Sequence, residues 1–151
     1  MTQTDDLPPA PAVGGVRLDG VCTYTITAEE NDELCRSTGI EPSPDGVAHP
    51  IYYYVATQVA MGRSVAELCA VCDFDVEDGP MMGSTAVRFN APLRTQRPYT
   101  VSGEILSLVR KRSRKLGVMD VLTYRLRLNE SDGAIALETD NVWVLPRKGL
   151  A

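Results

Sequence analysis

The chain has 151 residues, 44% of them hydrophobic and 23% charged, with a formal net charge of −5 and a pI near 4.9. That length and mix fit one globular domain around a single core, and the acidic balance argues against nonspecific nucleic-acid binding, which runs on phosphate neutralisation. No apolar run approaches the ~20 residues that a bilayer span needs, so neither a transmembrane helix nor a membrane partner is expected.

The N-terminus, "MTQTDDLPPAPAVGG", is acidic and proline-rich and lacks the basic-then-apolar character of an export signal. Residues 1–15 read as a disordered lead-in to one domain over 16–148, and the protein as cytoplasmic. "VCTYTIT" (21–27) is rich in β-branched residues and predicts a strand. Thr27 with Glu30 is a capping-box pattern and Gly39 a stop, so a helix is expected over 28–37. "IEPSPDGVA" (40–48) is a loop, since two prolines and an Asp-Gly oppose regular structure.

His49, the only histidine, then precedes Pro50, and proline suits the first turn of a helix, where its missing N–H costs nothing. Residues 50–61 carry apolar groups almost all the way round, including Ile51, Tyr52, Tyr54, Val55, Val59 and Ala60. Such a helix is a buried one. A strand at "IYYYVA" is the alternative, but the run is too long, and Ala, Gln and Met favour helix. Ser64 and Glu67 repeat the capping-box pattern ahead of "SVAELCAV". "CAVC", Cys69 to Cys72, has redox or zinc spacing, but no second CxxC and no nearby histidine completes a metal site. The four cysteines therefore read as free thiols, with Cys69 and Cys72 as small buried apolar groups. No metal and no cofactor is expected.

After an acidic loop, "DFDVEDGPMMG" (73–83), the period changes to two. Strands are expected over 84–91, 99–111, 118–129 and 134–145, as an antiparallel meander with tight links. "RKRSRK" (110–115) falls at a hairpin end. It reads as a solvated tip or as a basic patch for an acidic partner. Arg88 and Asn90 share one strand face and Phe89 takes the other, so the pair faces solvent or lines a dimer groove. A largely apolar helix must be covered by a curved sheet. The fold class is α+β: a five-stranded antiparallel sheet, including the first strand, wrapped around a central buried helix, as in the hot-dog fold.

Within residues 21–146 the layout resembles the hot-dog proteins of the MaoC-like dehydratase and hydratase group. "STAVRFNAPLRTQRPYTVSGEI" (84–105) is similar to that family's strand–"RF-x-x-P"–turn–strand segment, with "TQRP" in place of the usual glycine-containing turn. "GVAHP" resembles its "His-Gly" start of the central helix, with proline for glycine, and "NVWVLPR" its last strand. The resemblance implies action on acyl thioesters of coenzyme A or acyl carrier protein, adding or removing water across the α,β bond. It also implies a homodimer, or a heterodimer with another hot-dog protein. The family's Asp/His pair lies in "D-x-N-P-x-H". This chain has only Asp45-Gly-Val-Ala-His49. Either Asp45 and His49 are a shortened version of the pair, or His49 matches only the helix start.

Hydration of an enoyl thioester needs a base, a donor to the α carbon and hydrogen-bond donors at the thioester oxygen. A helix N-terminus offers free N–H groups and partial positive charge. His49 with Asp45 behind it would be the catalytic pair, and Ile51, Tyr52 and Tyr53 would hold the carbonyl. Equally, His49 could cap the helix with no chemistry. Neighbouring tyrosines sit ~100° apart on a helix, so one faces the core and another a cleft or dimer contact. Three functions follow: a hydro-lyase of polyketide or fatty-acyl metabolism, a non-catalytic hot-dog subunit completing a partner's site, and a thioesterase using Glu67.

Overall fold

The computed structural model describes residues 6–150. Three α-helices and five strands follow one another: β1 (Tyr24–Thr25), α1 (Ala28–Ser37), α2 (Tyr52–Ala60), α3 (Val65–Val71), β2 (Met81–Phe89), β3 (Pro98–Ser113), β4 (Gly117–Asn129) and β5 (Ile135–Pro146). The strands form one antiparallel sheet in the order β1-β3-β4-β5-β2. Strands β3, β4 and β5 make the expected meander. Strand β2 does not join it in sequence: it crosses to the far edge and pairs with β5, Phe89 opposite Leu137 and Thr85 opposite Asn141.

Both capping boxes form. Glu30 N–H donates to the Thr27 hydroxyl while Thr27 N–H donates to the Glu30 carboxylate, and Ser64 with Glu67 does the same at α3. Each satisfies donors that a helix start otherwise leaves unpaired. Helix α2 turns Tyr52, Ala56, Thr57 and Ala60 inward, over the alternating Leu122, Tyr124, Leu126 and Leu128 of β4, which are fully buried. Each such leucine contributes about 1.5–3 kcal/mol by leaving water. The helix is not buried all round, as its composition predicts. Val59 is 65% exposed, and Tyr53, Tyr54 and Val55 are half-buried. One chain supplies cover for one side of α2 only.

The N-terminal expectation is corrected over residues 8–15. Gly15, Leu18 and Gly20 donate their N–H groups to the carbonyls of Ile105, Gly103 and Val101, so the chain runs antiparallel along the free edge of β3. Val13 and Leu18 are buried in the core, and Arg110 donates to the carbonyls of Pro8 and Pro9. An unpaired strand edge binds whatever backbone is at hand, even one with poor strand propensity. The predicted strand at 21–27 shrinks accordingly to Tyr24–Thr25, opposite Tyr99 and Pro98. Residues 1–5 of that lead-in lie outside the described residues. Two glycines allow this segment to cross the end of α2. A Cβ on Gly20 would lie 2.0 Å from the Ala60 carbonyl oxygen, and one on Gly62 2.0 Å from that of Asp19.

Candidate functional site

The loop before α2 is shaped by short-range polar contacts. Asp45 accepts from the Ser43 hydroxyl and from Val47 N–H at 3.3 Å, closing the turn that Gly46 (φ +81°) makes. The Ser43 hydrogen bond is the main reason its carboxyl lies below the ordinary aspartate value. Ala48 N–H donates to the Leu93 carbonyl and His49 N–H to Asn31 Oδ1 at 2.7 Å, which fixes the entry to α2. Asn31 is buried on the inward face of α1, four residues from Cys35. The signal for it in the sequence is an asparagine on the apolar face of an amphipathic helix.

His49 is half-buried, and its Nδ1 accepts from Ile51 N–H at 3.1 Å. A nitrogen that accepts a backbone N–H carries no proton, so the neutral ring holds its proton on Nε2. That tautomer donates from Nε2; it does not take a proton there. No hydrogen bond joins Asp45 to His49, so the carboxylate expected to sit behind the imidazole is engaged elsewhere. The donors expected for the thioester carbonyl are engaged too. Ile51 N–H goes to the imidazole, Tyr52 N–H to the His49 carbonyl and Tyr53 N–H to the Pro50 carbonyl. The first turn is tight, with i to i+3 bonds, and a turn of that kind consumes the N–H groups that an open α-helical start leaves free.

The tyrosines divide as the helix period requires. Tyr52 packs into the core, and burial pushes its hydroxyl up to about 12. Tyr53 meets Phe89 edge-on at 6.3 Å between ring centres. Phe89, Val47, Ala48, Pro50, Pro92 and Leu93 line an open, mainly apolar cleft of about 420 Å³ beside His49. Asn90 borders it but is bound to backbone, donating to the Ile135 carbonyl at 3.0 Å. Arg88 is not part of the site. It lies on the opposite face of the sheet, 3.5 Å from Glu138, because residues alternate faces along a strand. There it joins the ion pairs Arg125–Asp140 and Arg127–Glu138.

The basic run is also divided. Arg110 points inward, opposite Asp120, and donates to it from Nε at 2.8 Å and Nη2 at 3.0 Å. Arg147 donates to the same carboxylate at 2.7 Å and to the carbonyls of Cys72 and Asp73. Lys111, Arg112, Arg114 and Lys115 are exposed. They sit at the far end of β3 from the α2 entrance, roughly 40 Å away along the strand. Cys69 and Cys72 are fully buried free thiols, and burial pushes Cys72 up to about 11. Glu67 is held by its own capping box.

Neither a protein-family profile nor a curated protein matches the chain significantly. Solved structures do. The chain is similar to a chain of the HadBC (3R-hydroxyacyl-ACP dehydratase) complex from Mycobacterium tuberculosis, with a TM-score of 0.66 at 14% identity, covering 89% of this chain and 98% of that one. A MaoC-like dehydratase from Rhodospirillum rubrum gives a TM-score of 0.62 at 14% identity, over 96% and 97% of the two chains. The chain has the hot-dog fold. A third hot-dog neighbour belongs to the ChsH1-ChsH2 complex of Mycobacterium tuberculosis, with a TM-score of 0.65 at 12% identity, over 85% and 82% of the chains. No described helix is long and apolar enough to cross a membrane.

Proposed function

We propose that this hot-dog chain is the acyl-housing subunit of a hydratase- or dehydratase-type assembly on acyl thioesters of coenzyme A or acyl carrier protein. A second hot-dog chain would supply the acid–base pair. The observation that carries this reading is the state of His49 and its surroundings. Nδ1 is spent on Ile51, Asp45 is spent on Ser43 and Val47, and the first N–H groups of α2 close on their own turn. A water-activating base needs a free ring nitrogen and a group behind it to hold the tautomer. Two further features support a partner. Strand β2 is exposed on both faces except at Val87, which is half-buried. Helix α2 also leaves Val59 exposed. Long edges with apolar neighbours are the places where sheets extend into another chain.

The test is turnover of an enoyl-CoA, followed by loss of its conjugated absorbance. The purified chain alone is inactive, and activity appears on mixing with a hot-dog protein that has "D-x-N-P-x-H". A second reading has one observation in its favour: Ala48 and Pro50, on either side of His49, line the apolar cleft, and the Nδ1 bond to Ile51 leaves Nε2 of the neutral ring as a donor. In that case the chain alone is active and His49→Ala abolishes turnover. A thioesterase is less well supported, because Glu67 is committed to Ser64; release of free thiol from acyl-CoA tests it.

A further inference from the structure

The inner face of the sheet is not uniformly apolar. A row of polar side chains crosses it: Tyr124 on β4, Asn141 opposite it on β5, and Thr85 opposite Asn141 on β2. Some of the row is satisfied internally. The Tyr124 hydroxyl bonds the Gln58 amide at 3.1–3.2 Å, and the Thr85 hydroxyl donates to Asn141 Oδ1 at 2.9 Å. Two groups are not. Asn141 Nδ2 and Trp143 Nε1 are buried without a hydrogen-bond partner, in residues only 0% and 5% exposed. Buried asparagine and tryptophan N–H groups are nearly always paired, because an unpaired donor has lost its water and gained nothing. Both residues lie on the same side of β5, two positions and roughly 7 Å apart. If the amide is turned over, Asn141 still has one unpaired end, and Trp143 remains a donor in any case.

Their place in the fold says what reaches them. Helix α2 packs over β4, β3 and β1, and β2 is left exposed. The flank of the core between α2 and β2 is therefore the less covered one, and the row ends there on the exposed Thr85, which bonds Asn141. Thr85 is four residues from Phe89, which lines the cleft beside His49. Along a strand that is roughly 13 Å, the reach of a medium-length acyl chain.

We propose that the inner face of β5 recognises an oxygen-bearing acyl group, whose keto or hydroxyl oxygen is taken by Trp143 Nε1 and the Asn141 amide. This rests on the reading of the chain as an acyl-housing subunit and adds a substrate class to it. A plain alkyl chain would leave both donors unpaired, as they are in the free chain, so the site favours an oxygenated chain over it.

Trp143 is the only tryptophan in the chain, so its indole N–H gives a single resonance in an isotope-labelled sample. The full chain is titrated with decanoyl-CoA and with its methyl-ketone counterpart, which carries a keto group next to the terminal methyl. The ketone ester should bind at least about tenfold tighter and move the indole resonance downfield. Decanoyl-CoA should bind without that movement. Trp143→Phe should reduce the difference between the two esters, and Trp143→Phe with Asn141→Leu should erase it. Should those variants fail to fold, the wild-type indole resonance decides alone. Equal affinity with an unmoved indole overturns the proposal and leaves the acyl-housing reading standing. Movement with the free keto acid but with neither ester removes the thioester reading and keeps the polar site. Binding of none of these, or an indole that moves only when a second hot-dog chain is added, removes the proposal.

Discussion

Replacing Asp120 by alanine should be the most damaging single change on the surface-distal end of the sheet. Its carboxylate is fully buried and receives three charged hydrogen bonds, two from Arg110 and one from Arg147, all between 2.7 and 3.0 Å. Both guanidiniums are only about a tenth exposed. Removal of the anion leaves two buried cations with only carbonyl partners and, for Arg147, the Phe74 ring, and breaking such a group costs about 3–5 kcal/mol. For a chain of this size each kcal/mol is worth about 2–4 °C in Tm, so a drop of about 6–20 °C is expected in thermal unfolding followed by circular dichroism. The damage also reaches the N-terminal segment, because Arg110 holds Pro8 and Pro9; hydrogen exchange over residues 8–20 should rise. The pH dependence follows. Burial pushes the Asp120 carboxyl up, but the hydrogen bonds from Arg110 and Arg147 outweigh it and hold the group below its ordinary value. A depressed carboxyl stabilises the fold above its unfolded-state pKa, about 3.9, and that contribution is lost as pH falls through the folded-state value. Asp120→Asn should therefore lose stability at neutral pH and flatten the acid limb below about pH 4. A Tm change under about 2 °C for Asp120→Ala would refute the reasoning, since it would show the two arginines find equal partners without the anion.

Asn31→Ala removes the acceptor that holds His49 N–H and should cost about 1–3 kcal/mol in urea unfolding, with the largest chemical-shift changes at residues 47–52. Gly62→Ala places a methyl 2.0 Å from the Asp19 carbonyl oxygen; a cost of about 1–3 kcal/mol or more is expected from overpacking, and wild-type stability would show that the crossing is looser than described. In the native protein, iodoacetamide at neutral pH should label the exposed Cys22 and spare Cys72, which is buried with its thiol raised to about 11. Mass spectrometry of the labelled peptides checks this.

Local signals in the sequence carried through to the structure. Thr27 with Glu30 and Ser64 with Glu67 are three apart, so each cap is decided by its own segment. The alternation of Leu122, Tyr124, Leu126 and Leu128 names the buried face of β4 directly. The segment at 13–20 was not legible, because "VGGVRLDG" has little strand propensity and pairs only because β3 has a free edge. Arg110 was hidden inside a basic run, since its partner Asp120 comes from the next strand. Hairpin register could have found it: the two residues lie at nearly equal distances from the 113–117 tip. At the candidate site the sequence places His49 at the entrance of α2 but not its hydrogen bonds. Whether Asp45 faced the imidazole depended on a turn closed by Ser43 and Val47. The unpaired Asn141 and Trp143 donors were invisible for the same reason. Burial without a partner is a property of packing, not of residue type.

The central claim is that this chain houses the acyl group and does not supply the acid–base pair. Single-turnover hydration of an enoyl-CoA by the purified wild-type chain tests it most directly, with His49→Ala beside it. The account predicts no turnover above background from either protein alone, with acyl-CoA binding retained by both. Turnover by the wild-type chain that His49→Ala abolishes would contradict it.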